Sequence, residues 1–192
     1  IYLLKNKYGS GALNAVMTGI DNSKYDIVLM TVVDDVIPVV AINEMIEMII
    51  SRDYDLVSAT RYSKGGKRYG GSLVGGLLSR FANFLLQKFT GFIISDFTTG
   101  IKMIKRNVWY KFIFESNPIG WSFSLELAIK AQLFGLKVGE VPIISVDRIL
   151  GGQSTFKLGL WVREYSRWFV WAFLSYYKFK IFGLDDKNSQ KN

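Results

Sequence analysis

The 192-residue chain is 49% hydrophobic and 15% aromatic, enough to bury one substantial core, so one domain with an appended element is expected. Its 24 Lys+Arg against 16 Asp+Glu give a formal charge of +8, which points to an anionic partner: nucleic acid, an anionic membrane surface or phosphorylated substrates. There is no Cys and no His, which excludes disulfides, thiolate nucleophiles, Cys/His zinc sites and imidazole bases; acid–base work falls to carboxylates, and any metal is a hard, oxygen-seeking ion such as Mg²⁺ or Mn²⁺.

Along the chain, Gly9-Ser10-Gly11 precedes a predicted helix from Ala12 to Ile20, followed by a strand from Ile27 to Val33. Asp34 and Asp35 come just past that strand's C-terminal end, where the loops of open α/β sheets form the ligand crevice. A helix over Ile42 to Ile50 leads to a strand at Leu56 to Thr60, and Arg61 then opens a basic, glycine-rich loop that runs to Gly71. The next helix, Leu73 to Phe89, carries Ser79, Arg80 and Asn83 in an otherwise apolar sequence. Asp96 to Ile104 reads as a loop entering a strand, and Leu125 to Phe134 as a helix. Val138 to Ile144 reads as a strand broken by Pro142; a proline cannot donate to a ladder, so this strand lies at an edge or ends there. Short β-branched runs alternating with helical periods predict an α/β domain with a mainly parallel sheet.

Much of the positive charge collects from Arg148 onward, in Arg148, Lys157, Arg163, Arg167, Lys178, Lys180, Lys187 and Lys191 against Glu164, Asp185 and Asp186. The stretch from Trp161 to Phe182 is crowded with aromatics around an apolar run from Trp168 to Tyr177, too short for the about 20 apolar residues that a bilayer span needs. On a helix Arg163, Arg167 and Lys178 fall within roughly 60° of one another. Trp and Tyr flanked by Lys and Arg favour a headgroup layer, so this helix is expected to lie at a membrane interface; the alternative is a helix packed on the domain or on a second subunit. The expected organisation is a domain over 1–158, the helix over 159–183 and a polar tail over 184–192 that has nothing to bury. No signal peptide is visible, and the start at Ile1, without Met, reads as the middle of a domain, so a fragment is expected. Nucleic acid is the weaker partner, because the aromatics crowd with aliphatics instead of alternating with basics as stacking platforms do.

The runs Ser58-Ala59-Thr60-Arg61-Tyr62-Ser63-Lys64-Gly65-Gly66, Leu78-Ser79-Arg80-Phe81-Ala82-Asn83 and Asp96-Phe97-Thr98-Thr99-Gly100-Ile101-Lys102 closely resemble dolichyl- and polyprenyl-phosphate mannosyltransferases, inverting glycosyltransferases of family 2 with a GT-A, Rossmann-like fold. Phe123-Ser124-Leu125-Glu126, Gly139-Glu140-Val141-Pro142-Ile143 and Asp147-Arg148 with Gly152, Ser154 and Lys157 continue the resemblance. The family's strand and loop that hold the nucleotide base would precede Asn6, so the resemblance implies a GT-A domain incomplete at its N-terminus.

The resemblance implies transfer of a sugar, mannose by default, from a nucleotide-sugar to a polyprenyl or dolichyl phosphate, by a membrane-associated enzyme on the cytoplasmic face that could also form a homo-oligomer. Matching Pro38, Ile42 and Met45 to the family's residues puts Asp34 on the second Asp of its Asp-x-Asp metal motif and Val32 on the first. Asp34 is thus the expected catalytic metal ligand, with Asp35 as a substitute, for an Mg²⁺ or Mn²⁺ ion that Val32 makes less secure. Arg61 matches the arginine that binds the lipid phosphate, where a guanidinium offers two parallel N–H bonds, and Ser79 a hydroxyl that helps hold it. A second phosphate-binding arginine of the family falls on Gly75; Arg80, Lys67 and Arg68 are candidate replacements. Glu126 stands where the wider GT-A class carries a catalytic or acceptor-side carboxylate, and a positioning role is expected, because a phosphate is already anionic. Arg148 and Lys157 look like the loop that closes over the phosphates. The rival reading is a non-catalytic, membrane-associated relative that binds polyprenyl phosphate.

Overall fold

The computed structural model describes residues 2–31, 39–117, 120–146 and 158–182. Its elements are α1 (Ala12–Asp21), β1 (Ile27–Met30), α2 (Val39–Ser51), β2 (Leu56–Thr60), β3 (Lys67–Tyr69), α3 (Leu73–Thr90), β4 (Lys102–Lys105), α4 (Arg106–Trp109), α5 (Ser122–Leu133), β5 (Val138–Pro142), β6 (Ile144–Val146) and α6 (Leu158–Phe182).

A four-stranded sheet runs β1-β4-β2-β5. β2 pairs with β5 in parallel, Leu56 opposite Val138, while β4 is antiparallel to both β1 and β2. Three strands therefore share one direction, and β4 is the reversed one. This is the mainly parallel sheet that the alternation predicts, except for the reversal of β4, which no local signal announces. β5 forms the edge and stops at Pro142, where the missing N–H does no harm. A second, two-stranded sheet joins β3 to β6 in parallel.

The sheet is packed on both faces, as a largely parallel sheet must be. Val57, Ala59, Met103 and Val141 meet Ala41, Met45, Met48 and Ile49 of α2 on one side. Leu56 and Ile104, one residue out of phase, face the other side with α1, α5 and α6, as the two-residue period of a strand requires. α5 lies in the middle of this second layer and is buried almost all round, Ser122, Ser124, Glu126 and Lys130 included.

α6 packs on the domain. Glu164, Trp168 and Ala172, four residues apart, are buried against α5 and the loop before it. Glu164 accepts from the backbone N–H of Asn117 at 3.2 Å, from its amide at 3.0 Å, from Arg167 Nη2 at 2.6 Å and from Trp168 Nε1 at 3.2 Å. Burial alone would push the Glu164 carboxyl up, but Arg167 and the Asn117 bonds outweigh it and hold it below the usual range. Phe173 meets Phe89 of α3 edge-on at 6.2 Å. Of the two expectations for this helix, packing on the domain holds for one face; Val170, Leu174 and Ile181 remain exposed on the other. Among the described residues no helix is long and apolar enough to cross a membrane.

Candidate active site

The polar centre of the molecule lies past the C-terminal end of β2. Thr60 closes the strand, and its hydroxyl accepts from the backbone N–H groups of Tyr62 and Ser63 at 3.1 and 3.3 Å, turning the chain out of the sheet. Gly66 completes that turn: a Cβ there would stand 2.7 Å from the Thr60 carbonyl oxygen, so only glycine lets the basic loop fold back so closely.

Arg61 thereby faces Asp96, which enters from the loop between α3 and β4. The guanidinium donates through Nε to Asp96 Oδ2 at 2.6 Å and through Nη2 to Asp96 Oδ1 at 2.9 Å and Thr98 Oγ1 at 3.0 Å. Asp96 is fully buried, and the Arg61 side chain is 17% exposed. Burial pushes the Asp96 carboxyl up, yet the Arg61 charge and hydrogen bonds, with Lys102 behind, more than offset this and hold it below the usual range. A fork-to-fork pair of this kind fixes the plane of the guanidinium before any ligand arrives.

α3 supplies the next part. Ser79 Oγ lies 2.8 Å from Thr98 Oγ1 and accepts from the Tyr62 phenol at 3.0 Å. Asn83, one turn on, accepts from the Phe97 N–H at 2.8 Å, and its amide reaches Ser79. The rings and cations stack as well, with Arg61 5.2 Å and Arg80 6.0 Å from the Tyr62 ring centroid. Arg61, Ser79 and Arg80 are thus brought to one place, as the sequence reading expects. Tyr62, Asp96 and Thr98, to which that reading gives no role, complete the cluster. Asp96 and Thr98 stood inside the quoted motifs, and a part-buried arginine at a strand end calls for an acidic partner.

Beneath the cluster Lys102 is wholly buried and donates to the carbonyls of Thr99 at 2.7 Å and Phe97 at 3.4 Å and to Ser58 Oγ at 3.2 Å. Desolvation lowers its pKa to about 7, with Asp96 opposing and Arg61 reinforcing the shift. α6 closes the far side. Its partly buried Tyr165 lies within electrostatic reach of Arg61 and Asp96, and desolvation raises its phenol far above the ordinary value. Trp161 stacks on Tyr165 at 6.2 Å.

Glu126 stands apart from this cluster. Its carboxylate accepts from the backbone N–H groups of Glu115 and Ser116 at 2.8 and 2.9 Å and pairs with Lys130 Nζ at 2.6 Å, and no part of it is exposed. These bonds fasten the loop before α5. Asp34, Asp35, Arg148 and Lys157 lie outside the described residues; β1, which leads to the two aspartates, runs to Met30. Among the described residues no three acidic side chains gather as a metal cage.

The family model for glycosyl transferase family 2 matches residues 1–112. The chain belongs to that family. Its fold is similar to that of glucosyl-3-phosphoglycerate synthase from Mycobacterium tuberculosis. With the form bound to Mn²⁺, uridine diphosphate and glucosyl-3-phosphoglycerate the TM-score is 0.65 at 15% identity, over 86% of this chain and 56% of that one. With the form bound to phosphoglyceric acid it is 0.63 at 17% identity, over 84% and 55%. The form bound to Mn²⁺, uridine-diphosphate-glucose and glycerol 3-phosphate gives 0.62 at 16%, over 86% and 56%. The chain therefore spans little more than half the length of these structures. A family 2 domain of GT-A-like fold is thus established, and at this identity the likeness speaks of fold alone.

Proposed function

We propose that this chain is the greater part of an enzyme that transfers a sugar from a nucleotide-sugar to a polyprenyl phosphate at a membrane surface. The observation that carries the reading is the Arg61 cluster at the C-terminal end of β2. It couples a pre-oriented guanidinium to the Ser79 hydroxyl on a helix whose opposite side is apolar and exposed. Such a cluster suits an acceptor with a phosphate head and a hydrocarbon tail.

In this mechanism Arg61 and Ser79 hold the acceptor phosphate, with Arg80 nearby as a further cation. A phosphate oxygen attacks the anomeric carbon of the sugar; the bond from that carbon to the nucleoside diphosphate breaks, its electron pair leaves with the diphosphate, and the configuration inverts. The attacking oxygen is already an anion, so no base is required, and orientation with charge stabilisation supplies the rate. Asp34, with Asp35, would hold Mg²⁺ or Mn²⁺: two carboxylates in a chain free of His and Cys are a donor set for a hard cation. When bound, that ion neutralises charge building on the leaving diphosphate. Arg148 and Lys157 are assigned to closing over the phosphates, and Glu126 to positioning the loop before α5. Mannose is the default sugar.

A second reading is favoured by the structural neighbours, whose bound acceptors are small phosphorylated molecules: the same cluster would then hold a water-soluble phosphate ester. The test incubates the full-length protein with a panel of nucleotide-sugars, polyprenyl phosphate and small phosphorylated acceptors, and reads products by mass. Hexose on the polyprenyl phosphate is the expected result. Hexose on the small acceptors alone would establish the second reading, and binding of polyprenyl phosphate with no product from any donor would establish a non-catalytic relative.

A further inference from the structure

Both chain segments that hold Arg61 are tied to one carboxylate, Glu140 of β5. Glu140 Oε2 accepts the backbone N–H of Ser95 at 2.7 Å, and the Ser95 hydroxyl donates to the same carboxylate at 2.8 and 3.0 Å. Ser95 immediately precedes Asp96, which takes the Arg61 guanidinium and the Arg61 backbone N–H. Ser95 Oγ also lies 2.8 Å from Thr60 Oγ1, at the turn that opens the basic loop. The sheet itself does not need this carboxylate, because β5 is held to β2 by backbone pairing from Leu56–Val138 to Thr60–Pro142. Its position is costly. Desolvation pushes the Glu140 carboxyl up, and the Asp96 charge adds to the rise against the pull of the Ser95 bonds, so a second anion is kept partly buried beside the first.

The direction of this chain of bonds follows from the hydrogens available. A hydroxyl carries one hydrogen and two acceptor lone pairs. Ser95 gives its hydrogen to Glu140, so Thr60 is the donor to Ser95 Oγ. The two lone pairs of Thr60 Oγ1 are then left for the N–H groups of Tyr62 and Ser63, and every member is satisfied. Without an acceptor at Glu140 the Ser95 hydrogen turns to Thr60. Thr60 would then face three donors with two lone pairs, and the turn would lose one of its N–H bonds. The residues that follow carry the consequence, since the Tyr62 phenol donates to Ser79 Oγ at 3.0 Å and its ring centroid lies 5.2 Å from Arg61.

We propose that Glu140 is a positioning residue for the acceptor: through Ser95 it sets Asp96 on one side and the Tyr62–Ser63 turn on the other, and with them the Arg61 guanidinium and the Ser79 hydroxyl. The proposal rests on the acceptor reading for what Arg61 and Ser79 receive. It requires of Glu140 an acceptor oxygen facing Ser95, not a negative charge. Oε2 alone takes both the N–H and the O–H of Ser95, so a glutamine with its oxygen in that place keeps the chain of bonds intact, and a leucine of similar size breaks it.

The test uses the full-length protein, with kcat and KM read separately for the nucleotide-sugar and for the phosphorylated acceptor that gives product. Glu140→Leu and Ser95→Ala should each raise the acceptor KM on the order of tenfold, the scale of one lost hydrogen bond, with kcat and the donor KM within about twofold of wild type. Glu140→Gln should restore the wild-type acceptor KM. Glu140→Leu/Ser95→Ala should be no worse than the worse single variant, because both changes break one chain of bonds. A reading free of substrate is the solvent exchange of the Arg61 Nε hydrogen by NMR, which should speed up in Glu140→Leu and Ser95→Ala and not in Glu140→Gln. If Glu140→Leu fails to fold, Ser95→Ala, which keeps the backbone bond to Glu140, decides alone. A wild-type acceptor KM in Ser95→Ala overturns the proposal, as do a donor KM that rises in step with it and losses that add in the double variant. Faster Arg61 exchange in a protein that glycosylates no phosphorylated acceptor would uphold the positioning role and reject the acceptor reading. Unchanged exchange and unchanged acceptor KM would reject the positioning role and leave the acceptor reading standing.

Discussion

The carboxylate of Asp96 takes the Nε and Nη2 hydrogens of Arg61 at 2.6 and 2.9 Å and accepts the backbone N–H of the same residue at 3.2 Å. Asp96 is thus a holder for both the side chain and the strand end from which it springs. Arg61→Ala removes a proposed phosphate contact and at the same time leaves a buried carboxylate without its cation, which typically costs about 3–5 kcal/mol. The double variant Arg61→Ala/Asp96→Ala removes both charges. It should melt at a higher temperature than Arg61→Ala while sharing its raised KM for polyprenyl phosphate, with the KM for nucleotide-sugar nearly unchanged. A KM defect for the donor in both variants would move Arg61 to the other half of the site.

Lys102 makes stability depend on pH. Its folded pKa, lowered to about 7 by desolvation, lies below the ordinary lysine value of 10.5. Between these two values the unfolded chain binds more protons than the folded one, so this residue's contribution to stability rises with pH across the window. Below pH 7 the ammonium is charged in both states and its burial penalty is carried in full. Melting curves for wild type and Lys102→Met should therefore shift in favour of the wild type as pH climbs from about 7 to 10. A difference that stays constant over this range would show that the buried amine does not titrate there.

The two faces of Glu126's situation can be separated by kinetics. Glu126→Gln keeps the shape but removes the charge that faces Lys130 Nζ at 2.6 Å; Glu115 at 3.0 Å still pairs with that ammonium, so a stability loss of about 1–3 kcal/mol is expected. At a temperature where the variant remains folded, kcat should stay within about tenfold of wild type, because a phosphate nucleophile needs little of the 10²–10⁴ that general base catalysis supplies. A thousandfold fall in kcat with unchanged melting would instead place Glu126 in the chemistry.

Asp34→Ala should lower turnover far more than Asp35→Ala in the full-length protein, and chelation should mimic Asp34→Ala, since the proposed register puts only Asp34 on a position of the metal motif. Equal losses in single-turnover assays would show that the register through Pro38, Ile42 and Met45 is wrong.

Strands and helices with regular patterns were legible: β2 at Leu56–Thr60 coincides with its apolar run, and α3 with its periodic one. The reversal of β4 was hidden because direction is decided by the path of residues 91–101 and not by the composition of Lys102–Lys105. α5 blurred for another reason. A helix buried on all sides has no amphipathic stripe, and its Glu126, Lys130 and serines are satisfied by groups distant in sequence. Arg61, Ser79 and Arg80 were found through motif order; Asp96 and Thr98 stood inside the same motifs, but their hydrogen-bond partners only become visible in three dimensions.

The aromatic density of α6 suggested an interfacial helix that could be removed to release the protein from membranes. The packing leads to a different expectation. Trp168 is almost wholly buried, Lys130 of α5 lies 5.4 Å from its ring, and Glu164 holds the loop at Asn117. Deleting everything after Lys157 would uncover the buried side of α5 that α6 covers. The truncated protein should aggregate rather than turn soluble and active. A gentler probe is Trp168→Ala, which should cost about 3–5 kcal/mol as a large buried side chain and lower the melting temperature without first weakening vesicle binding. Leu174→Glu, on the exposed side of the same helix, should do the reverse: little change in melting, and weaker binding to anionic vesicles because an exposed apolar side chain becomes an anion. If Trp168→Ala released a fully folded protein from vesicles, the interior face of α6 and not its outer one would be meeting the lipid, and the packing described for this helix would have to open at the membrane.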